Sequence, residues 1–240
     1  MILCIVQARM GSTRLPGKSM APLAGVPLIE HVVKRCHASH LLNYVVVATT
    51  NQPEDDALAT HVQTLHNTYL YRGSSEDVLT RFYFASLAYS ADVIVRICAD
   101  DPYKDPTLID HAITGFLQAW AEPIAGAPPC HYLHLGGVTW ALGVDVEVFS
   151  RHALTAAYNN ATDPYDREHV TPFMEREFGV WRLKDDKARA TITTRHTIDT
   201  PLDYGMALRV FDRLYPTNPL FGYQDVIDVW PSIEPPTVHS

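Results

Sequence analysis

The sequence predicts an α/β protein whose central sheet is largely parallel, mixed, and covered by helices. Three observations predict it. Continuous apolar runs at Ile2 to Val6 and Tyr44 to Ala48, and a further buried strand at Val93 to Cys98, are as strands buried on both faces require. Apolar residues at helical spacing follow each run. The strand–helix alternation starts at the first residues and repeats at least three times, the pattern of a parallel sheet built from crossover units.

The elements follow in order. Leu28, Ile29, Val32, Val33 and Cys36 mark the first helix. Asp55 to Leu65 reads as the second, and Thr68 to Tyr71 as a short strand. Val78, Leu79, Phe82 and Leu87 mark another helix, and a further one runs from about Pro106 to Trp120. The second half is less regular. Gly136 to Phe149 alternates like an extended segment, with Val144, Val146 and Val148 on one face and Asp145 and Glu147 on the other. Helices are expected over Arg151 to Asn159 and about Arg167 to Phe178, then a strand near Val180 to Leu183 and a return to the sheet over Ala190 to Ile198. Pro201 suits the first turn of a helix that runs to Leu214. There is no internal repeat. The chain reads as one domain over residues 1–230, divided near residue 120, with a tail over 231–240 where Pro231, Pro235 and Pro236 interrupt any helix.

With 240 residues and 47% hydrophobic content, the chain can bury a sizeable core. Its net charge of −8 argues against nucleic acid as a partner, because phosphate backbones need a basic face. The apolar start is too short for a signal peptide, and no run approaches the roughly 20 residues of a spanning helix, so neither export nor a membrane is expected. Cys4, Cys36, Cys98 and Cys130 show no C-x-x-C spacing; reduced cytoplasmic thiols are the expectation, not zinc or disulfides.

In sheets of this kind ligands sit at the carboxyl ends of the strands. The loops after Val6, Ala48 and Cys98 are therefore expected to line a site. The first of them, Gln7 to Lys18, carries Gly11 and Gly17, the small hydroxyl residues Ser12 and Thr13, and the cations Arg9, Arg14 and Lys18. Glycines let backbone N–H groups approach an anion, and Arg and Lys neutralise it; together they suit a triphosphate. The loop is not a Walker A motif, since five residues separate the glycines before Lys18. The plainer reading is a surface turn with Lys18 as a solvent-accessible cation. Asp100 follows the third buried strand, where a carboxylate faces the site. Asp199 precedes a helix, where Asp-Thr-Pro also serves as an ordinary N-cap. Asp101 is either a loop acid or a supplement to a metal site.

The segment Gln-Ala-Arg-Met-Gly-Ser-Thr-Arg-Leu-Pro-Gly-Lys over residues 7–18 resembles the signature of the cytidylyltransferases, the CMP-sugar synthetase type, and is most similar to the spore coat polysaccharide biosynthesis protein F group. The resemblance extends through Arg72 to Arg81 (G-S-x-x-D-V-L-x-R), Arg96 to Pro102 (R-x-x-G-D-x-P), Leu142 to Val148 (G-x-D-V-E-V), Arg167 to Pro172 (R-E-H-V-T-P) and Ile198 to Asp203 (D-T-P-x-D). Each stretch is weak alone; their number and order are specific. Ala99 replaces the usual Gly, Asp101 is a departure, and Thr139 to Leu142 differ from the group's approach to the fourth motif.

The resemblance implies a three-layer α/β/α, Rossmann-like nucleotidyltransferase fold, with nucleotide bound by residues 1–120 and acceptor and dimer contacts supplied by residues 121–230. It implies CTP on Ala8, Arg9, Met10, Gly11, Ser12, Thr13, Arg14 and Lys18, with Ser74 and Ser75 near the base. It implies Mg2+, with Mn2+ as a substitute, on Asp100 and Asp199, and Arg14, Lys18 and Asp100 as the catalytic groups. An acidic or amino sugar acceptor and a homodimer are implied as partners. Asp145 and Glu147 face the acceptor in this reading, or form the solvent face of an edge strand. Arg167, Glu168 and His169 read the acceptor or start a helix. The dimer contact is expected in Ala121 to Trp140, which carries Pro123, Pro128, Pro129, Tyr132 and Trp140. A sugar-nucleotide-dependent glycosyltransferase and a degenerate nucleotide-binding member are the alternatives; the first usually places metal on Asp-x-Asp, which Ala99-Asp100-Asp101-Pro102 does not match.

Overall fold

The structure is a computed structural model and describes residues 1–122, 128–136, 141–183 and 195–233. The chain opens with β1 (Ile2–Gln7) and a short hairpin of β2 (Pro22–Leu23) and β3 (Val26–Pro27). Then follow α1 (Leu28–His37), β4 (Tyr44–Thr50), α2 (Asp56–Thr64), β5 (Thr68–Gly73), α3 (Val78–Ala88), β6 (Val93–Cys98) and α4 (Pro106–Ala121). The second half holds β7 (Tyr132–Leu135), β8 (Val146–Ser150), α5 (Arg151–Asn160), α6 (Pro164–His169), α7 (Pro172–Phe178), α8 (Pro201–Leu214) and α9 (Tyr223–Val229).

Six strands form one sheet in the order β5-β4-β1-β6-β8-β7. The first four run parallel, and β8 lies antiparallel between β6 and β7. β1 is central, so both its faces are covered. Cys4 and Val6 join one core with Val32 of α1, Leu58 of α2, Phe116 of α4 and Phe211 of α8. Leu3 and Ile5 join the other core with Phe82 of α3, Leu154 of α5 and Met174 of α7. The result is three layers, as the apolar runs predict. Among the described residues no helix is long and apolar enough to cross a membrane.

This topology fixes where a ligand goes. From β1 the chain crosses to β4 and β5 on one side, then returns to β6 on the other. The loops leaving β1 and β6 therefore diverge at the carboxyl edge of the sheet and open a crevice there. The register aligns Gln7 with Cys98, and Ala99 N–H donates to the Gln7 carbonyl at 2.9 Å, so the two loops start side by side.

Several elements differ from expectation. Within Gly136 to Phe149 only β8 is a strand in the described residues, and it is interior. Its five residues are all buried, so Glu147 is not on a solvent face. The edge strand on that side of the sheet is β7, unforeseen because it is only four residues long. The expected helix over Arg167 to Phe178 is two helices. Pro172 has no N–H to continue α6, and Val170 takes a left-handed φ of 72° at the break. Val180 to Leu183 contributes only an isolated bridge, Trp181 to Leu133. Of the expected strand over Ala190 to Ile198, residues 190–194 lie outside the described residues. Arg195 bridges Leu142, and Ile198 N–H donates to the Asp100 carbonyl at 2.8 Å. α9 was not anticipated.

Candidate active site

The loop after β1 folds on itself before any ligand is considered. The Met10 carbonyl accepts from Ser12 N–H at 2.8 Å and Gly17 N–H at 3.0 Å, and Ser19 Oγ donates to the Arg9 carbonyl at 3.0 Å. Gly17 has φ 75°, a left-handed turn that glycine adopts without penalty. Asp55, the last residue of the 3-10 turn Pro53–Asp55 before α2, anchors the loop. Its carboxylate accepts from Met10 N–H at 2.7 Å, Thr49 Oγ1 at 2.9 Å, Thr50 N–H at 3.1 Å and the Thr50 hydroxyl. Burial alone would raise its pKa; these hydrogen bonds outweigh burial and hold it below the ordinary carboxylate value.

The loop encloses a cleft of about 240 Å³ against the loop after β6. Its lining includes Ala8, Arg9, Ser12, Thr13, Arg14, Lys18, Asp100 and Asp199, so most of the expected nucleotide and metal residues come together. Gln7, Ser19, Cys98 and Ala99 complete the wall. Lys18 Nζ stands at the centre. It donates to Asp100 Oδ2 at 2.5 Å, to Asp199 Oδ1 at 3.0 Å and to the Ile198 carbonyl at 3.0 Å. Asp199 also pairs with Arg14 at 3.1 Å and with Arg195. Burial acts to lower the Lys18 pKa, but Asp100 and then Asp199 outweigh it and raise it. Burial acts to raise Asp199, and Lys18, Arg14 and Arg195 outweigh it and lower it.

Three cations thus share two carboxylates, and Arg9 has no ion-pair partner among the described residues. The surplus positive charge faces the cleft, which suits a polyanion. The donor set also fits a hard divalent cation. Asp100 and Asp199 converge on one ammonium nitrogen and offer oxygen ligands, as magnesium takes alongside phosphate oxygens and water. Cys98, Asp100 and Asp101 carry donor atoms within 4.8 Å of one another. Burial, however, pushes the Cys98 thiol far up, and Asp101 is tied to Lys104 at 3.0 Å. Cys98 and Asp100 both line the cleft, and of the two Asp100 is the oxygen donor a hard cation takes.

The remaining expected residues lie elsewhere. Met10 and Gly11 belong to the loop but are not among the residues that line the cleft. Ser74 Oγ accepts from Asp77 N–H at 3.0 Å and Glu76 N–H at 3.3 Å, turning the chain into α3, and neither it nor Ser75 lines the cleft. Asp145 accepts from Gly143 N–H at 3.0 Å and lies 3.6 Å from His134, and Lys104 holds it well below the ordinary carboxylate range against burial. Glu147 pairs with Arg96 and accepts from Tyr132 OH at 2.6 Å. Arg167 ties α6 to α3 through Asp77 at 2.7 Å and Thr80 Oγ1 at 3.0 Å. Glu168 and His169 are exposed, the His169 ring resting 4.3 Å from Tyr165. In the expected dimer segment Tyr132 is buried, while Pro123 and Trp140 lie outside the described residues.

Sequence reasoning missed Asp55, Arg195 and Lys104. Asp55 carries a signal in hindsight, an acid one turn past a buried strand with Thr49 and Thr50 before it. Arg195 and Lys104 carry none, because their partners are set by tertiary contact.

A family model described as cytidylyltransferase matches residues 3–222. The chain is 32% identical over 213 residues to the spore coat polysaccharide biosynthesis protein SpsF of Bacillus subtilis, covering 85% of this chain and 83% of that one. It is 30% identical over 177 residues to the 3-deoxy-manno-octulosonate cytidylyltransferase of Anaeromyxobacter dehalogenans, covering 70% and 71%. A solved structure of a cytidylyltransferase from Leptospira borgpetersenii superposes with a TM-score of 0.85 at 29% identity, over 96% of this chain and 94% of that one.

Proposed function

This chain belongs to the cytidylyltransferase family, and from that premise we propose that it transfers CMP from CTP to an acidic or amino sugar, releasing pyrophosphate, in surface or cell-envelope polysaccharide biosynthesis. The observation that carries the reading is Lys18 held between Asp100 and Asp199 beneath a glycine-bearing cationic loop at the topological switch point. The sugar and polysaccharide context rests on the names of the two relatives. Work as a cytoplasmic homodimer belongs to the same proposal.

The reaction is an in-line displacement at the α-phosphorus. An acceptor hydroxyl oxygen forms the new P–O bond, the bond to the β-phosphate oxygen breaks, and the hydroxyl proton is lost to solvent. The protein's task is to position the groups and neutralise charge. The Thr13 backbone N–H and the side chains of Arg9 and Arg14 hold the triphosphate. Lys18 leaves its carboxylates for the phosphates as negative charge gathers on the departing pyrophosphate. Asp100 and Asp199, freed of that ammonium, would hold Mg2+ or Mn2+, which supplies charge neutralisation at the phosphates. Arg195 keeps Asp199 oriented throughout.

A screen crossing the four nucleoside triphosphates with acidic and amino sugars, reading pyrophosphate, tests this. Release is expected only with CTP, an acceptor and Mg2+ or Mn2+. Equal turnover in excess chelator, or release of a nucleoside diphosphate, contradicts it.

A further inference from the structure

Gln7 ends β1 and lines the cleft, and its side chain is held from one side only. Along β1, Cys4 and Val6 enter one core, and Leu3 and Ile5 enter the other. By that alternation Gln7 belongs to the face covered by α3, α5 and α7. Asp199 comes from the other face, because it stands just ahead of Thr200, the N-cap of α8. Gln7 therefore lies across the sheet edge from the phosphate end marked by Lys18 and Asp199.

The partner that holds Gln7 is Arg96 of β6, whose Nη2 donates to Gln7 Oε1 at 3.5 Å. A guanidinium has only donors, so the amide atom that faces it is the oxygen, and the NH2 group is left for the cleft. That group has no hydrogen-bond partner among the described residues. Arg96 is itself fixed. The register sets it opposite Glu147 of β8, the two pair, and Glu147 accepts from Tyr132 OH of β7 at 2.6 Å. Burial acts to lower the Arg96 pKa, and Glu147 outweighs it and raises it, so the pair stays ionised. One buried row of polar groups thus crosses β7, β8 and β6 and ends at β1 on an amide donor in the cleft.

The direction of the row tells which substrate meets that donor. The triphosphate loop is tied toward β4, since Asp55, bound to Thr50 at the end of β4, also holds Met10 N–H. Arg96 draws the Gln7 amide the opposite way, toward β6 and β8. The side of the cleft over β6 and β8 is the one left for the second substrate. The buried cations on that side are already matched, Arg96 by Glu147 and Lys104 by Asp101 at 3.0 Å. A free amide with no spare cation beside it suits an uncharged oxygen; a carboxylate there would be buried unpaired.

We propose that Gln7 is a specificity-determining residue for the acceptor, its Nε2 donating to a hydroxyl oxygen of the sugar, with Arg96 as the positioning residue that keeps the amide turned to the cleft. The inference rests on the CMP-transfer reading. A sugar with no oxygen at that place leaves the amide unpaired, which selects against it.

The test compares the parent with Gln7→Glu and Gln7→Met. CTP and CMP affinities are read by calorimetric titration, and kcat and KM for the sugar by pyrophosphate release at saturating CTP and Mg2+. The probes are 3-deoxy-manno-octulosonate and the other acidic and amino sugars of the screen, then single-deoxy analogues of the one turned over. Gln7→Met is expected to leave CTP and CMP affinity unchanged and to lower kcat/KM for the sugar about threefold to tenfold, the loss of one neutral hydrogen bond. Gln7→Glu keeps an oxygen for Arg96 and loses the N–H, so its kcat/KM is expected to fall at least as far. One deoxy analogue is expected to react equally with the parent and Gln7→Met, because the contact is already gone. A Gln7→Glu enzyme equal to the parent would mean that Gln7 only satisfies Arg96, and would overturn the inference. So would a loss of CTP affinity as large as the loss for the sugar, which assigns Gln7 to the nucleotide, or a Gln7→Met deficit that persists through every deoxy analogue. If Gln7→Met melts well below the parent, Gln7→Glu alone carries the comparison. A parent that binds CTP but turns over no sugar removes the transfer reading, and this inference with it; an active parent beside unchanged variants removes only the inference.

Discussion

Lys18 shows how a residue legible by type acquires a meaning that sequence cannot supply. Its charge in a glycine-bearing loop points to phosphate, and the expectation of a solvent-accessible cation follows from the loop alone. In the structure its side chain is only 12% exposed and bridges acids 82 and 181 positions away. Those partners are set by strand order, not by local pattern. Lys18→Ala therefore leaves two carboxylates facing each other and is expected to cost about 1–2 kcal/mol in the ligand-free protein, discounted for partial solvent access. Denaturant melts check this. The triad also sets a pH window. Asp199 has a depressed pKa, so its contribution is present above about pH 4 and is lost as pH falls through its folded value. Lys18 has a raised pKa, so its contribution is full below about pH 10 and is lost as pH rises further. Stability measured against pH should be flatter at both ends in Lys18→Ala than in the parent.

At the scale of elements, β1 and β4 were legible because each carries a continuous apolar run that is buried on two faces. β8 was misread because the alternation of valines with Asp145 and Glu147 around it looks like a half-solvated strand, yet its one acid, Glu147, is neutralised inside by Arg96 and accepts a hydrogen bond from Tyr132. Buried ion pairs defeat polarity patterns. Glu147→Gln leaves Arg96 uncompensated and is expected to destabilise by about 3 kcal/mol. Guanidinium melts read that loss; an acceptor-reading role alone would change KM and leave the melts untouched. The first loop gives a paired prediction. Gly17→Ala forces a Cβ into φ 75° and should cost about 1 kcal/mol and weaken nucleotide binding. Gly11→Ala meets only the end of the Glu54 side chain, 2.6 Å from the new Cβ, which can swing aside, so its melting point should match the parent's.

For the molecule as a whole, the topological switch between β1 and β6 collects loops that are far apart in sequence into one cleft, and the alternation read from sequence is enough to locate its rim. What it could not locate was the far wall around Arg195 to Asp199, which reaches the cleft through contacts with Asp100 and Lys18. A homodimer is expected by light scattering at micromolar concentration; a monomeric mass contradicts that part of the proposal. The central claim is that the loop over residues 7–18, with Asp100 and Asp199, is a nucleoside triphosphate site. Calorimetric titration of CTP and CMP into the parent and Lys18→Ala, at one fixed ionic strength, tests it most directly. A charge-assisted hydrogen bond to phosphate contributes roughly 1.5–3 kcal/mol, so CTP affinity should fall about tenfold to a hundredfold, and CMP affinity much less. Matching affinities of parent and variant for both nucleotides would contradict it.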